Sequence, residues 1–181
     1  MAGLPCGPCQ RKPRAFDATR AVWQYAHPVR EMILAFKHGQ GFGLAGFFVE
    51  ALIEEARRIE ADCILPVPLH ALRIRERGFN PACELSRPLA RILGLEHLPQ
   101  ALVRERHTPR LAGLRGRERL QTVRGAFRCE ADFQGRSVML VDDVMTSGAT
   151  LDEVARCLRQ RGASRVSNLV LARTLKHSGP D

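Results

Sequence analysis

Val138-Met139-Leu140-Val141-Asp142-Asp143-Val144-Met145-Thr146-Ser147-Gly148-Ala149-Thr150 passes from four apolar residues into two carboxylates, then into a small, hydroxyl-rich stretch. An unbroken apolar run fits a strand buried on both faces of a parallel sheet. Ligands of open α/β sheets bind beyond the carboxyl ends of the strands, which is where Asp142 and Asp143 fall. Small residues at Thr146, Ser147, Gly148, Ala149 and Thr150 let backbone N–H groups converge on an anion. Their hydroxyls add donors, and a helix opening near Leu151 adds the partial positive charge of its N-terminus. That set suits a phosphate monoester. Adjacent carboxylates suit a different task, accepting hydrogen bonds from vicinal hydroxyls or facing a hydrated Mg²⁺. Side by side, the two describe a ribose 5-phosphate pocket. A Walker-B strand would share the acidic ending, but no G-x-x-x-x-G-K-[ST] occurs in the chain.

Outward from this stretch, Leu151, Val154, Ala155 and Leu158 recur at helical spacing, Gly162 ends the helix, and Val166 to Leu171 is a second apolar strand. Strand, helix and strand in this order form a βαβ unit. Upstream, residues 62–68 read as a short buried strand ended by prolines. A basic loop, Arg73 to Asn80, follows it, and Asn80-Pro81 opens a helix that Gly94 closes. Residues 21–26 and 98–103 read as further strands; Val29 to Phe36 and Leu44 to Ile59 read as helices separated by glycines. The expected architecture is α/β, a mostly parallel central sheet flanked by helices. Residues 1–14 read as an irregular arm, 15–176 as the domain and 177–181 as a tail.

The chain has 181 residues and a net charge of +9. Because nearly all the basic residues are arginine, position says more than the total. Eight arginines between Arg104 and Arg128 face only Glu105 and Glu118, which implies an anionic partner. The segment lacks clean periodicity and reads as a long loop or hairpin. Of six cysteines only Cys6 and Cys9 lie close together, so no disulfide framework is expected, and reduced thiols fit a cytoplasmic protein. No apolar run is long enough to span a bilayer, and no leader is expected near Met1.

Asp142-Asp143 with Thr146 to Thr150 resembles the phosphoribosyl-pyrophosphate (PRPP) signature of type I phosphoribosyltransferases. More narrowly, the chain resembles the ComF/GntX family of phosphoribosyltransferase-like proteins, which is linked to competence. Phe36-Lys37-His38-Gly39, Pro66-Val67-Pro68-Leu69, Arg77-Gly78-Phe79-Asn80, Gly113-Leu114, Arg119 and Val123-Arg124-Gly125-Ala126-Phe127 carry the likeness. The chain departs from that family at Leu111 and Thr122, where Gln and Asn are usual, and at Met145-Thr146-Ser147-Gly148, where the usual ending is Thr-Thr-Gly.

The resemblance implies the type I fold with a flexible hood, and binding of PRPP or a related ribose phosphate with Mg²⁺. It implies that Thr146 to Thr150 hold the 5-phosphate and that Asp142 and Asp143 serve the ribose hydroxyls and, indirectly, Mg²⁺. Arg73, Arg77 and Asn80 would meet the pyrophosphate, and Arg119 would serve from the hood. Asn80 reads equally as a helix cap, and His38 as a helix-terminal cation. The family's N-terminal four-cysteine zinc ribbon has only Cys6 and Cys9 as counterparts, so Zn²⁺ is not expected, since a structural site takes four ligands. An alternative from another class is a non-catalytic adaptor of DNA uptake, in contact with single-stranded DNA or DNA-processing proteins through the arginine-rich segment. Such contact would weaken steeply with salt.

Overall fold

The computed structural model describes residues 13–39, 43–106 and 122–174. Its centre is a five-stranded sheet in the order β1-β7-β6-β2-β3, and every neighbouring pair is parallel. The strands are β1 (Ala18–Gln24), β2 (Cys63–Pro66), β3 (Glu96–His97), β6 (Ser137–Met145) and β7 (Arg165–Arg173). A separate antiparallel pair, β4 (Leu102–Arg104) and β5 (Phe127–Cys129), brackets the middle of the arginine-rich segment. Residues 107–121, with Arg119, lie outside the described residues, as do Cys6 and Cys9.

Helices α1 (Val29–Lys37), α2 (Leu44–Arg57) and α4 (Pro81–Leu93) cover one face. Helix α5 (Ala149–Gln160) and the β4–β5 pair cover the other. Alternation along the strands explains the division, since successive strand side chains point to opposite faces. Val138 and Leu140 join Leu151, Val154, Leu158 and Phe133. Met139 and Val141 join Ile33, Phe36, Phe48, Leu52 and Leu85. The central strand therefore has no polar face, and its apolar run is continuous.

The structure corrects the expected path in three places. The residues expected to form a basic loop begin with a short helix, α3 (Ala71–Arg77). His70 caps it by accepting from the Leu72 amide at 3.3 Å, and Gly78, at φ +86°, closes it in the left-handed conformation. Its residues are mostly good helix formers, but none is buried, so it shows no apolar stripe. The strand expected over 98–103 is two pieces, Glu96–His97 on the sheet edge and Leu102–Arg104 in the outer pair. Pro99 stands between them and has no N–H for a ladder. Strand β6 runs four residues beyond the apolar run, because β7 continues beside it as far as Met145↔Arg173.

Candidate functional site

The sheet delivers the acidic pair to its carboxyl end while both residues are still in β6. Neighbours on a strand face opposite ways, so the two carboxylates meet different surroundings. Asp142 lines a hollow with Val144 to Leu151, and its Oδ1 accepts from the Asp143 amide at 2.8 Å. Asp143 is buried, its side chain 12% exposed, and its Oδ1 lies 2.7 Å from the Lys37 ammonium. Burial and the Asp143 charge push the Asp142 carboxyl up to about 7, with Lys37 and Arg104 pulling the other way. Burial lowers the Lys37 pKa, but Asp143 and then Asp142 outweigh it and hold the ammonium above its ordinary value.

Residues 146–148 turn the chain from β6 into α5. Gly148 takes φ +74°, and a Cβ there would sit 2.6 Å from the Met145 Cε, so the turn requires glycine. Thr146 is exposed, and Ser147 Oγ accepts weakly from the Ala149 amide at 3.4 Å. The first N–H groups of a helix have no carbonyl partner within it, so the hollow beside Asp142 faces amide donors. Arg14 reaches this turn from the opposite end of the chain, donating to the Ser147 carbonyl at 3.1 Å while its Nη1 lies 3.7 Å from Asp152. Asp152 also accepts from the Ala15 amide at 2.8 Å. One residue on, Glu153 accepts from the Gly125 amide at 2.7 Å. The helix behind the turn thus fastens both the N-terminal segment and the stretch that leads into β5.

A second hollow is lined by the ion-pair partner of Asp143. Lys37, His38, Arg73, Glu76 and Arg77 line it. Helix α3 contributes Arg73 and Arg77, and the end of α1 contributes Lys37 and His38. Arg73 lies 3.7 Å from Glu76. Asn80 is placed differently: its Nδ2 donates to the Val67 carbonyl at 3.0 Å and its Oδ1 accepts from Ala82 at 3.1 Å. It caps α4 and ties it to the end of β2. Arg104 on β4 sits over the Phe127 ring at 5.4 Å and within electrostatic reach of Asp142 and Arg73.

Asp142 and Thr146 to Thr150 therefore line one hollow and Arg73 and Arg77 the other, with the Lys37–Asp143 ion pair between the second hollow and the end of β6, while Asn80 lines neither. Lys37 and Arg104 were missed as members of the site. Helical periodicity marks Lys37 only as a last-turn cation, and its place in Phe36-Lys37-His38-Gly39 was the available signal. Among the described residues, no group of three or more His, Cys, Asp or Glu side chains is placed to hold a metal ion. No described helix is long and apolar enough to cross a membrane.

Residues 69–181 match the family model of the phosphoribosyl transferase domain. The DNA utilization protein YhgH of Escherichia coli strain K12 is 36% identical over 179 residues, covering 95% of this chain and 79% of the relative. Competence protein F of Haemophilus influenzae is 32% identical over 178 residues, covering 93% and 78%. The chain belongs to the ComF family of phosphoribosyltransferase-like proteins. Among ComF relatives, competence protein ComFC of Streptococcus pneumoniae is 28% identical over 155 residues, covering 85% of this chain and 67% of that one. The family's phosphoribosyltransferase fold accords with the parallel sheet and its flanking helices. The family match begins at Leu69, so β1, α1, α2 and β2, with Lys37, precede it.

Proposed function

We propose that this ComF protein binds a ribose 5-phosphate carrying a pyrophosphate at its anomeric carbon, the PRPP class of ligand. One observation carries the reading: Asp142 lines the amide-rich hollow, while the ion-pair partner of Asp143 lines the basic one. A molecule with a phosphate at one end, a diol in the middle and a pyrophosphate at the other matches that sequence of groups. Thr146 to Thr150 take the 5-phosphate through backbone amides and hydroxyls. The carboxylates take the ribose hydroxyls. Arg73 and Arg77 meet the pyrophosphate, for which the planar guanidinium fork is well shaped. Arg119, outside the described residues, serves the same group from the hood.

The reaction such a site supports is displacement at the anomeric carbon. The bond to pyrophosphate breaks with its electron pair on the leaving oxygen, and an acceptor forms the new bond. No nucleophilic side chain is needed; the site works by positioning and by charge. The acidic pair offers hard oxygen donors suited to a hydrated Mg²⁺, and Lys37 already engages one of them, so these residues fit an ion carried chiefly by the ligand's phosphates. Mg²⁺ held there would neutralise charge developing on the pyrophosphate.

Calorimetric titration of the full chain with PRPP and Mg²⁺ tests the reading. Saturable heat is expected, and it is lost in a folded Asp142→Asn/Asp143→Asn double variant. No heat at millimolar ligand from a folded sample contradicts it. Contact with DNA is a second reading, favoured by the relatives' names and the arginine-rich segment. It survives the double variant and weakens steeply with salt.

A further inference from the structure

Lys37 is the cation seated on Asp143, at 2.7 Å, and its side chain is only 21% exposed. It comes from the last turn of α1, where the helix dipole favours positive charge. The same ammonium lines the basic hollow beside Arg73 and Arg77. It therefore stands between the acidic pair and the place proposed for an anion, on a four-carbon stem with rotatable donors.

We infer that Lys37 is the resident counter-cation of the acidic pair. It occupies the place on Asp143 that a divalent cation would take and keeps free metal off the ligand-free protein. It yields only to a metal that arrives with an anionic ligand. The electrostatics follow from the positions. With Lys37 in place, one carboxylate charge is already neutralised, and a divalent ion approaching alone meets a nearby ammonium as well as a desolvated pair. An anion entering the basic hollow offers Lys37 an equivalent partner there. The stem lets the ammonium turn from Asp143 toward it, and the freed carboxylate then faces the incoming ion. Metal and anion enter together because each removes the obstacle to the other. This deepens the PRPP reading and rests on it for the identity of the anion, but its decisive comparison needs no sugar.

The experiment uses Mn²⁺ as the probe, its binding followed by loss of the free-ion paramagnetic resonance signal, on the full chain without ligand. The unaltered protein is expected to retain little Mn²⁺. Lys37→Gln should bind it roughly tenfold more tightly, the effect of removing one close charge. Lys37→Arg should stay weak, and adding Asp143→Asn to Lys37→Gln should abolish the gain. Equal Mn²⁺ affinity in the unaltered chain and Lys37→Gln overturns the inference. So does tight binding by the unaltered chain alone, a result that needs no variant to fold. A second titration adds PRPP to the unaltered protein, and uptake of Mn²⁺ only with PRPP supports the exchange. If PRPP itself fails to bind, the preceding reading falls and with it the proposed anion, while the Mn²⁺ comparison still decides whether Lys37 guards Asp143.

Discussion

Burial and its neighbour's charge push the Asp142 carboxyl up to about 7, far above the 3.8 usual for aspartate, whereas Asp143 has Lys37 beside it. The native fold thus favours the protonated form of Asp142. A carboxyl whose folded pKa is raised supports the fold below its unfolded value, and that support is lost as pH rises through the folded value. Between pH 3.8 and about 7, the unaltered protein should lose stability that Asp142→Asn keeps. Urea midpoints of the two proteins across that window check this: the gap should shift in favour of Asn with rising pH and then level off. Parallel curves would contradict it. The pairing that creates these surroundings could not be read from sequence. Lys37 and Asp143 are far apart along the chain, and only the sheet order places the end of α1 against the end of β6.

At the scale of elements, the turn from β6 into α5 is where sequence and geometry agree most closely. Small residues and a glycine were visible there, and Gly148 at φ +74° shows why one of them has no Cβ. Gly148→Ala forces a left-handed conformation on an L-residue, costing about 1–2 kcal/mol, and pushes against the Met145 side chain. Thermal unfolding should show that loss, and titration should show PRPP affinity falling by roughly tenfold or more as the amides lose alignment. Unchanged stability and affinity would mean that the turn is looser than drawn. Helix α3 shows the opposite lesson. Its arginines were visible as a charged stretch, but a helix that buries nothing leaves no periodic apolar signal. The caps of α4 were legible because Asn80, Pro81 and Gly94 are local chemistry. For Asn80 the residue type alone left cap and pyrophosphate ligand open, and the structure uses it as the cap.

Across the whole molecule, the parallel sheet was legible because β6 and β7 have continuous apolar runs and α5 a clear stripe, and the acidic pair's place at the carboxyl end of β6 followed from it. The ties between distant segments were not. Arg14 holds the Ser147 carbonyl, and Glu153 holds Gly125, contacts made between residues with no sequence proximity. They make α5 a common anchor for the N-terminal segment, the turn at 146–148 and the stretch that leads into β5. The arginine-rich segment is also less uniformly free than its composition suggests, since Arg128 is paired with Glu105 and Glu130.

The central claim is that a sugar phosphate seats where β6 hands over to α5. A crystal structure of the full chain soaked with PRPP and Mg²⁺ tests it most directly. The account predicts the 5-phosphate within hydrogen-bonding distance of the amides at 147–150, the ribose hydroxyls on Asp142 and Asp143, and the pyrophosphate toward Arg73 and Arg77. A bound ligand lying elsewhere, or a turn that stays empty at saturating PRPP with Lys37 still on Asp143, would contradict it.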